Sequence, residues 1–184
     1  DPRLVADNWT GSSAKLDACL ELVTEAVAGG HRILLFSQFT SMLELLAKRL
    51  DEAGVSHFTL QGSTPKPVRA EQVRRFNQGE ADVFLISLRA GGTGLNLTAA
   101  DIVIHYDPWW NLAAQNQATD RAYRIGQRNP VQVYRLIAQD TIEEKIVELQ
   151  QAKQSLADTV TGEADGAILS MNPEQLLQLL GEEA

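Results

Sequence analysis

Val83-Phe-Leu-Ile-Ser87, followed at once by Leu88-Arg-Ala-Gly-Gly-Thr-Gly-Leu-Asn96, is the stretch that decides the fold of this chain. The apolar run over 83–87 is typical of a strand that is buried on both faces of a sheet. The glycines that follow let bare backbone come close to a phosphate or a sugar. A glycine cluster after a strand is also common as a simple tight connection in α/β folds, so the loop alone does not establish a ligand.

The rest of the chain alternates helices with strands. Apolar runs predict strands over 32–36, 56–60, 82–87, 102–106 and 131–138. Helical spacing of apolar residues predicts helices over 14–28, 40–50, 68–77, 112–123 and 141–158, with a further one after Pro173. This alternation is typical of an α/β domain whose mostly parallel sheet is covered by helices on both faces.

Polar and small residues follow four of the predicted strands, at 37–38, 62–63, 87–96 and 107–111. Because ligands on parallel sheets collect at the carboxyl ends of the strands, we expect these four segments to lie along one edge and to form the binding site.

The composition indicates one globular domain. The chain has 184 residues, of which 44% are hydrophobic, and no apolar stretch approaches the eighteen residues of a membrane span. The single Cys19 excludes an intrachain disulfide, and its helical spacing predicts that it packs on a helix face. We expect the main domain to cover residues 1–160, with a linker and a C-terminal helix over 161–184 packing on or beside it.

The formal net charge of −8 argues against a wholly basic nucleic-acid binder. The charge is uneven, however: basic residues gather over 66–75, at Arg89 and over 121–135, while residues 163–184 are acidic and lack Lys and Arg. Because salt confines the influence of each charge to about 8–10 Å, a local positive face can still bind phosphates.

Two arginines and two tryptophans are the strongest candidates for binding. Arg121 and Arg124 stand three residues apart near a helix end, a spacing that suits phosphate charge, although helix arginines are often plain surface charges. Of Trp109 and Trp110, one can pack in the core while the other faces outward and stacks against nucleic acid. The chain has no G-x-x-x-x-G-K-[ST] loop, so these residues predict an incomplete phosphate site.

The three histidines, His31, His57 and His105, are far apart and lack metal-ligand spacing, and we interpret them as ordinary. No grouping of Ser, His and Asp indicates nucleophilic hydrolysis.

Six segments carry a resemblance to a known family: 33–41 (ILLFSQFTS), 62–64 (GST), 89–98 (RAGGTGLNLT), 107–111 (DPWWN), 117–127 (QATDRAYRIGQ) and 141–145 (TIEEK). In this order they resemble the second RecA-like lobe of Swi/Snf-type ATPases of helicase superfamily two. The resemblance covers about residues 12–158 and implies a RecA-like three-layer αβα domain with a C-terminal helical extension.

The resemblance also implies a function. The chain is expected to be the C-terminal motor lobe of an ATP-dependent translocase or remodeller, with double-stranded DNA and its own N-terminal RecA-like lobe as partners. A DNA-bound protein is a candidate target, and no membrane is expected. ATP with Mg would be bound mainly by the N-terminal lobe, so the isolated lobe would be inactive. The expected location is the cytoplasm, on the nucleoid, in a prokaryote, or the nucleus in a eukaryote.

Roles for individual residues follow from the same resemblance. The motif that reaches across to the ATP γ-phosphate matches Gln117, Arg121 and Arg124, of which Arg124 is the candidate arginine finger. Contact with the nucleotide is implied for Gly92, Gly94 and Asn96. Contact with DNA is implied for Ser37, Gln38, Gly62, Ser63, Ser87, Arg89 and Trp110, the last at the minor groove.

The chain departs from the family pattern at two positions. Leu112 stands where a proline is usual, and Tyr123 where a histidine is common. The tandem tryptophans and the lack of insertions resemble prokaryotic members. Two other interpretations stay open: a non-catalytic module of the same fold that binds nucleic acid or protein, and an RNA helicase lobe, which the D-x-x-W-N and R-I-G-Q details disfavour.

Overall fold

The structure is a computed structural model that describes residues 1–4, 13–88, 90, 95–109, 111–120 and 130–161. Its strands are β1 (Ile33–Ser37), β2 (His57–Leu60), β3 (Val83–Ser87), β4 (Ile102–His105) and β5 (Gln132–Arg135). Its helices are α1 (Ala14–Ala28), α2 (Thr40–Glu52), α3 (Lys66–Asn77), α4 (Leu112–Thr119) and α5 (Ile142–Thr161), and a 3-10 turn covers Pro2–Leu4. The predicted alternation of helices and strands is confirmed.

The strands form one sheet in the order β2-β3-β1-β4-β5, and every neighbouring pair is parallel. This is the RecA-like α/β arrangement that the sequence predicts. Ser37 pairs with Ser87 and Phe36 with His105, so β1, β3 and β4 end at the same edge. The expected convergence of their carboxyl ends is therefore confirmed.

Two apolar layers cover the sheet, because successive side chains of a strand point to opposite faces. On one face Ile33 and Leu35 pack in the cluster that holds the buried residues of α1 and α2. On the other face Leu34 and Phe36 share a cluster with Phe76 of α3. The central strand β1 is buried throughout, as expected for a strand that is apolar except for Ser37 at its end.

Cys19 lies within the first of these layers, as its spacing predicts. Burial raises the pKa of its thiol to about 12, against a smaller opposing effect of the Lys15 charge. Because the thiolate is the reactive form of cysteine, Cys19 acts in packing rather than as a nucleophile.

The chain forms two compact units, Asp1–Ile146 and Val147–Ala184. The first unit holds the whole sheet and α1 to α4. The described part of the second is the continuation of α5 to Thr161. The predicted linker and final helix over 161–184 fall almost wholly outside the described residues, so the domain boundary at 160 stays a prediction. In the part of the chain that the structure describes, no helix combines the length and hydropathy that crossing a membrane requires.

Candidate functional site

The loops that leave β1 and β4 are joined by a buried carboxylate. Asp107 Oδ1 accepts a hydrogen bond from the Ser37 hydroxyl at 2.8 Å, and Asp107 Oδ2 accepts one from the Gln38 backbone N–H at 2.8 Å. Gln38 Nε2 in turn donates to the Pro108 carbonyl at 3.4 Å. These bonds connect the first of the predicted DNA-contacting segments with the segment that leads to Trp110.

The charge of Asp107 is balanced between burial and its donors. Burial raises its pKa above the ordinary value, while the hydrogen bonds from Gln38 and Ser37 and the charge of Lys15 lower it. Glu143 adds a smaller raising effect. The hydrogen bonds from Gln38 and Ser37 thus offset part of the cost of burying this carboxylate, because a buried charge without partners would be costly.

The far side of the glycine-rich loop is held by α3. Asn77 Nδ2 donates to the Asn96 carbonyl at 2.8 Å, and Asn77 Oδ1 accepts the Ala99 N–H at 3.2 Å. Leu95 and Leu97 are both buried, and Asn96 between them is exposed. The loop therefore turns the Asn96 side chain outward, the orientation that a ligand contact requires.

The near side of the same loop is also tied to α3. Ser87 ends β3 and is 2% exposed, and the Ala90 carbonyl accepts a hydrogen bond from Arg69 Nη1 at 3.2 Å. Gly92, Gly94 and Arg89 lie outside the described residues. Their predicted contacts stay predictions.

A short turn follows β2. The Gln61 N–H donates to Thr64 Oγ1 at 3.0 Å, and the Thr64 N–H donates to the Gln61 carbonyl at 3.1 Å. Gly62 and Ser63 at the tip are exposed, and no atom lies within 4 Å of the place where a Cβ of Gly62 would stand. The turn therefore presents open backbone at the carboxyl end of β2.

Two polar contacts hold helix α4, one to His105 of β4 and one to the loop after β4. His105 Nε2 lies 2.8 Å from Thr119 Oγ1, and buried Gln115 accepts the Trp109 N–H at 3.2 Å. Burial, helped by the charge of Arg135, lowers the pKa of His105 to about 4, so the imidazole is neutral at physiological pH. Gln117 is exposed on this helix. The chain continues from α4 into 121–129, so Arg121 and Arg124 lie outside the described residues, as does Trp110.

The basic residues of α3 are largely paired with acidic ones. Arg74 Nη2 lies 2.6 Å from Glu71 Oε1, and Arg75 Nε lies 2.7 Å from Glu80 Oε2. Lys66 is exposed at the start of the helix, and the first turn has no acidic residue. The positive charge over 66–75 is therefore most available at the N-terminus of α3, beside the exposed turn after β2.

The predicted residues that the structure describes thus fall into two groups. Gln38, Gly62, Ser63, Asn96 and Gln117 are at least partly exposed, while the side chains of Ser37 and Ser87 are buried. The Ser37 hydroxyl is already bonded to Asp107, so a contact of either serine with a phosphate stays a prediction. Sequence reasoning missed Asp107 and His105 as residues that hold the loops and α4 in place.

Asn96 and Gln117 offer exposed amides, and in the described part of the chain there is no cluster of three or more His, Cys, Asp or Glu side chains able to hold a metal ion.

Comparisons with known proteins give one matching family and several similar proteins. The family model for the helicase conserved C-terminal domain matches residues 14–126. The putative ATP-dependent helicase/translocase YwqA of Bacillus subtilis is 43% identical, over 92% of this chain and 18% of that protein. The chromatin-remodeling ATPase INO80 of Cryptococcus neoformans is 44% identical, over 87% of this chain and 9% of that protein. The chain therefore spans less than a fifth of these curated relatives.

A solved structure shares the fold. The crystal structure of the C-terminal part of the Fun30 ATPase domain matches with a TM-score of 0.72 and 36% identity, covering 75% of this chain and 45% of that chain.

Proposed function

Since the chain belongs to the helicase conserved C-terminal domain family, as the second RecA-like lobe of a Swi/Snf-type ATPase, we propose that it is the C-terminal motor lobe of an ATP-dependent double-stranded DNA translocase. The observation that carries the proposal is the common edge of the sheet. There the exposed turn after β2 and the paired loops after β1 and β4 lie together. DNA is expected to be contacted from this edge.

Contact with DNA is proposed to run along the phosphate backbone. Gly62 and Ser63 present open backbone, and Lys66 adds an exposed positive charge at the start of α3. The N-terminus of a helix favours negative charge, and contacts with phosphates carry no sequence information. Such binding would be independent of DNA sequence and strongly dependent on salt.

The contribution to ATP hydrolysis is proposed to come from the segment after α4. Gln117, Arg121 and Arg124 match the family motif that reaches the γ-phosphate. Helix α4 is held in place by the contact of its Thr119 with His105 and of its Gln115 with the Trp109 backbone. ATP with Mg would be bound mainly by the first lobe, where it supplies the phosphoryl group and neutralises part of its charge. The arginines of this chain would neutralise the charge that develops on the transferred phosphoryl group when the two lobes close.

Asn96 is proposed to orient the nucleotide. Its amide faces outward because Leu95 and Leu97 on either side of it are buried, and Asn77 holds its carbonyl. The glycines at 92 and 94 would let backbone approach the nucleotide without a side chain in the way. The nucleotide would then lie between this loop and the first lobe.

The proposal is tested by ATP turnover with and without DNA. Joined to its first lobe, the chain should hydrolyse ATP faster as duplex DNA is added, and the half-saturating DNA concentration should rise steeply with salt. The isolated 184 residues should hydrolyse ATP negligibly, and duplex RNA should stimulate less than duplex DNA. Absence of DNA stimulation in the two-lobe protein would favour the non-catalytic module, as would an upstream sequence without a G-x-x-x-x-G-K-[ST] loop.

Replacing Trp110 by alanine should separate movement from hydrolysis. Stacking of an aromatic ring on a base contributes about 1–3 kcal/mol, so we expect movement per ATP hydrolysed to fall by about tenfold while ATP turnover changes less. A translocation assay on duplex DNA, run beside an ATPase assay, measures both. Trp109→Phe is the matched control, because the hydrogen bond from the backbone N–H of residue 109 to Gln115 does not involve the ring. Unchanged movement in Trp110→Ala would remove this residue from the role.

A further inference from the structure

Asp107 sets the backbone of the loop after β1. Each of its carboxylate oxygens accepts from a different donor, the Ser37 hydroxyl and the Gln38 N–H, both at 2.8 Å. The Ser37 hydroxyl oxygen also accepts the Phe39 N–H at 3.1 Å. Two separate bonds fix the orientation of a loop as well as its position. The backbone from Ser37 to Phe39 is therefore fixed by one side chain of the loop that follows the neighbouring strand β4.

The loop after β4 is held by the same junction. Gln38 Nε2 donates back to the Pro108 carbonyl, and the next residue, Trp109, donates its N–H to buried Gln115. Asp107 and Pro108 are themselves buried. Neither loop can shift without breaking bonds to the other, because three hydrogen bonds join them, all donated by Ser37 and Gln38 and accepted by Asp107 and Pro108.

Direct contact between Asp107 and DNA is not what this arrangement provides. The side chain is 5% exposed, and a carboxylate facing phosphates would repel them. Its two carboxylate oxygens are instead directed at the loop after β1, where the Ser37 hydroxyl and the Gln38 N–H donate to them. The carboxylate therefore acts on the loops.

We propose that Asp107 is a positioning residue that holds the segment 37–39 and the segment leading to Trp110 in one arrangement, so that both contact DNA together. This inference rests on the proposed function, since it assigns to Asp107 the alignment of two segments that are proposed to touch DNA. A change at Asp107 should therefore weaken DNA engagement more than it affects the binding of ATP.

Asp107→Asn tests the inference in the chain joined to its first lobe. The amide keeps the size of the carboxylate but has only one oxygen to accept hydrogen bonds, and it carries no charge. Loss of about one charge-assisted hydrogen bond should raise the duplex concentration for half-maximal ATP turnover by about tenfold. The KM for ATP and the turnover at saturating DNA should change little, a split that general loss of folded protein would not produce.

Asp101→Asn is the matched control. Asp101 joins the same two strands at the opposite edge of the sheet: its Oδ1 accepts the Arg32 N–H at 3.2 Å, and its Oδ2 lies 2.9 Å from His31 Nδ1. Asp101→Asn is the same chemical change as Asp107→Asn, yet the half-saturating DNA concentration of this control variant should stay at the wild-type value. An equal rise in both variants would overturn the proposal, as would a rise in neither.

A double-mutant cycle with Ser37→Ala adds a second criterion. If Ser37 acts through Asp107, the two changes together should raise the half-saturating concentration little more than Asp107→Asn alone, whereas two independent DNA contacts would add. Additive effects contradict the proposal. If Asp107→Asn does not fold at the assay temperature, Ser37→Ala takes its place, and an unchanged half-saturating concentration there contradicts the proposal too.

The failure of this inference can be told apart from failure of the proposed function. A wild-type protein that DNA does not stimulate refutes the proposed function itself. A wild-type protein that DNA stimulates, with Asp107→Asn behaving identically, refutes only the role of Asp107.

Discussion

Arg124→Ala should lower DNA-stimulated ATP turnover by about 10³–10⁵-fold in the chain joined to its first lobe. Phosphoryl transfer needs charge neutralisation on the transferred group, and a guanidinium supplied by the second lobe provides it only when the lobes close. The loss should appear in kcat at saturating ATP and DNA, because the interaction forms in the transition state. Steady-state kinetics across an ATP titration measure it.

Two control variants make the Arg124 test specific. Arg135→Ala removes an exposed arginine from β5 and should leave turnover near normal. Arg124→Lys keeps the charge without the planar pair of donors, so it should recover only part of the turnover. Near-normal turnover in Arg124→Ala would show that another residue supplies the charge, with Arg121 the next candidate.

Phe84→Ala should destabilise the lobe by about 3–5 kcal/mol. Phe84 lies in the middle of β3 and is fully buried, with its ring centroid 5.3 Å from that of Phe76 and 6.0 Å from that of Phe58. The substitution removes most of a large side chain from between β2 and α3, and the surrounding strand and helix cannot collapse fully into the space. Urea unfolding of the 184-residue chain, read from the midpoint and slope, measures the change.

Phe39→Ala is the control for that experiment. Phe39 is the same residue type but is 53% exposed, at the start of α2. Its replacement should change the free energy of unfolding by about 0.5 kcal/mol or less. Similar losses in the two variants would mean that Phe84 is not in a tightly packed site.

The strands buried on both faces were predictable because their sequences are continuous apolar runs, as at β1 and β3. The edge strand β5 is largely exposed, with a polar residue at each end, and it covers Gln132–Arg135 rather than the predicted 131–138. Helix α3 begins at Lys66, earlier than predicted, because Pro67 is tolerated in the first turn of a helix. Local pattern thus fails where burial is incomplete or where proline occupies a permitted position.

The helical spacing of apolar residues that predicts α5 does not show which of those residues are buried. Ile146 is buried, but Ile142 is 61% exposed. Helical spacing indicates which residues share a face, and it does not indicate what covers that face.

The site was predictable as motifs and not as contacts. Asp107 belongs to the segment 107–111, which carries part of the family resemblance, yet its partners Ser37 and Gln38 lie 70 and 69 positions away. Only the parallel pairing of β1 with β4 brings them together. His105 was interpreted as ordinary because the histidines lack metal-ligand spacing, and its contact with Thr119 depends on how α4 returns to the sheet.

The position of β1 has a consequence for synthesis of the protein. This strand, apolar except for Ser37, pairs with β3 and β4, both of which follow it in sequence by many residues. At a synthesis rate of about 5–20 residues per second, β1 leaves the ribosome roughly 3–10 s before β3 does. During that interval an apolar strand without its partners is prone to aggregate, so α1 and α2, which flank it in sequence, are the elements available to shield it as the chain emerges.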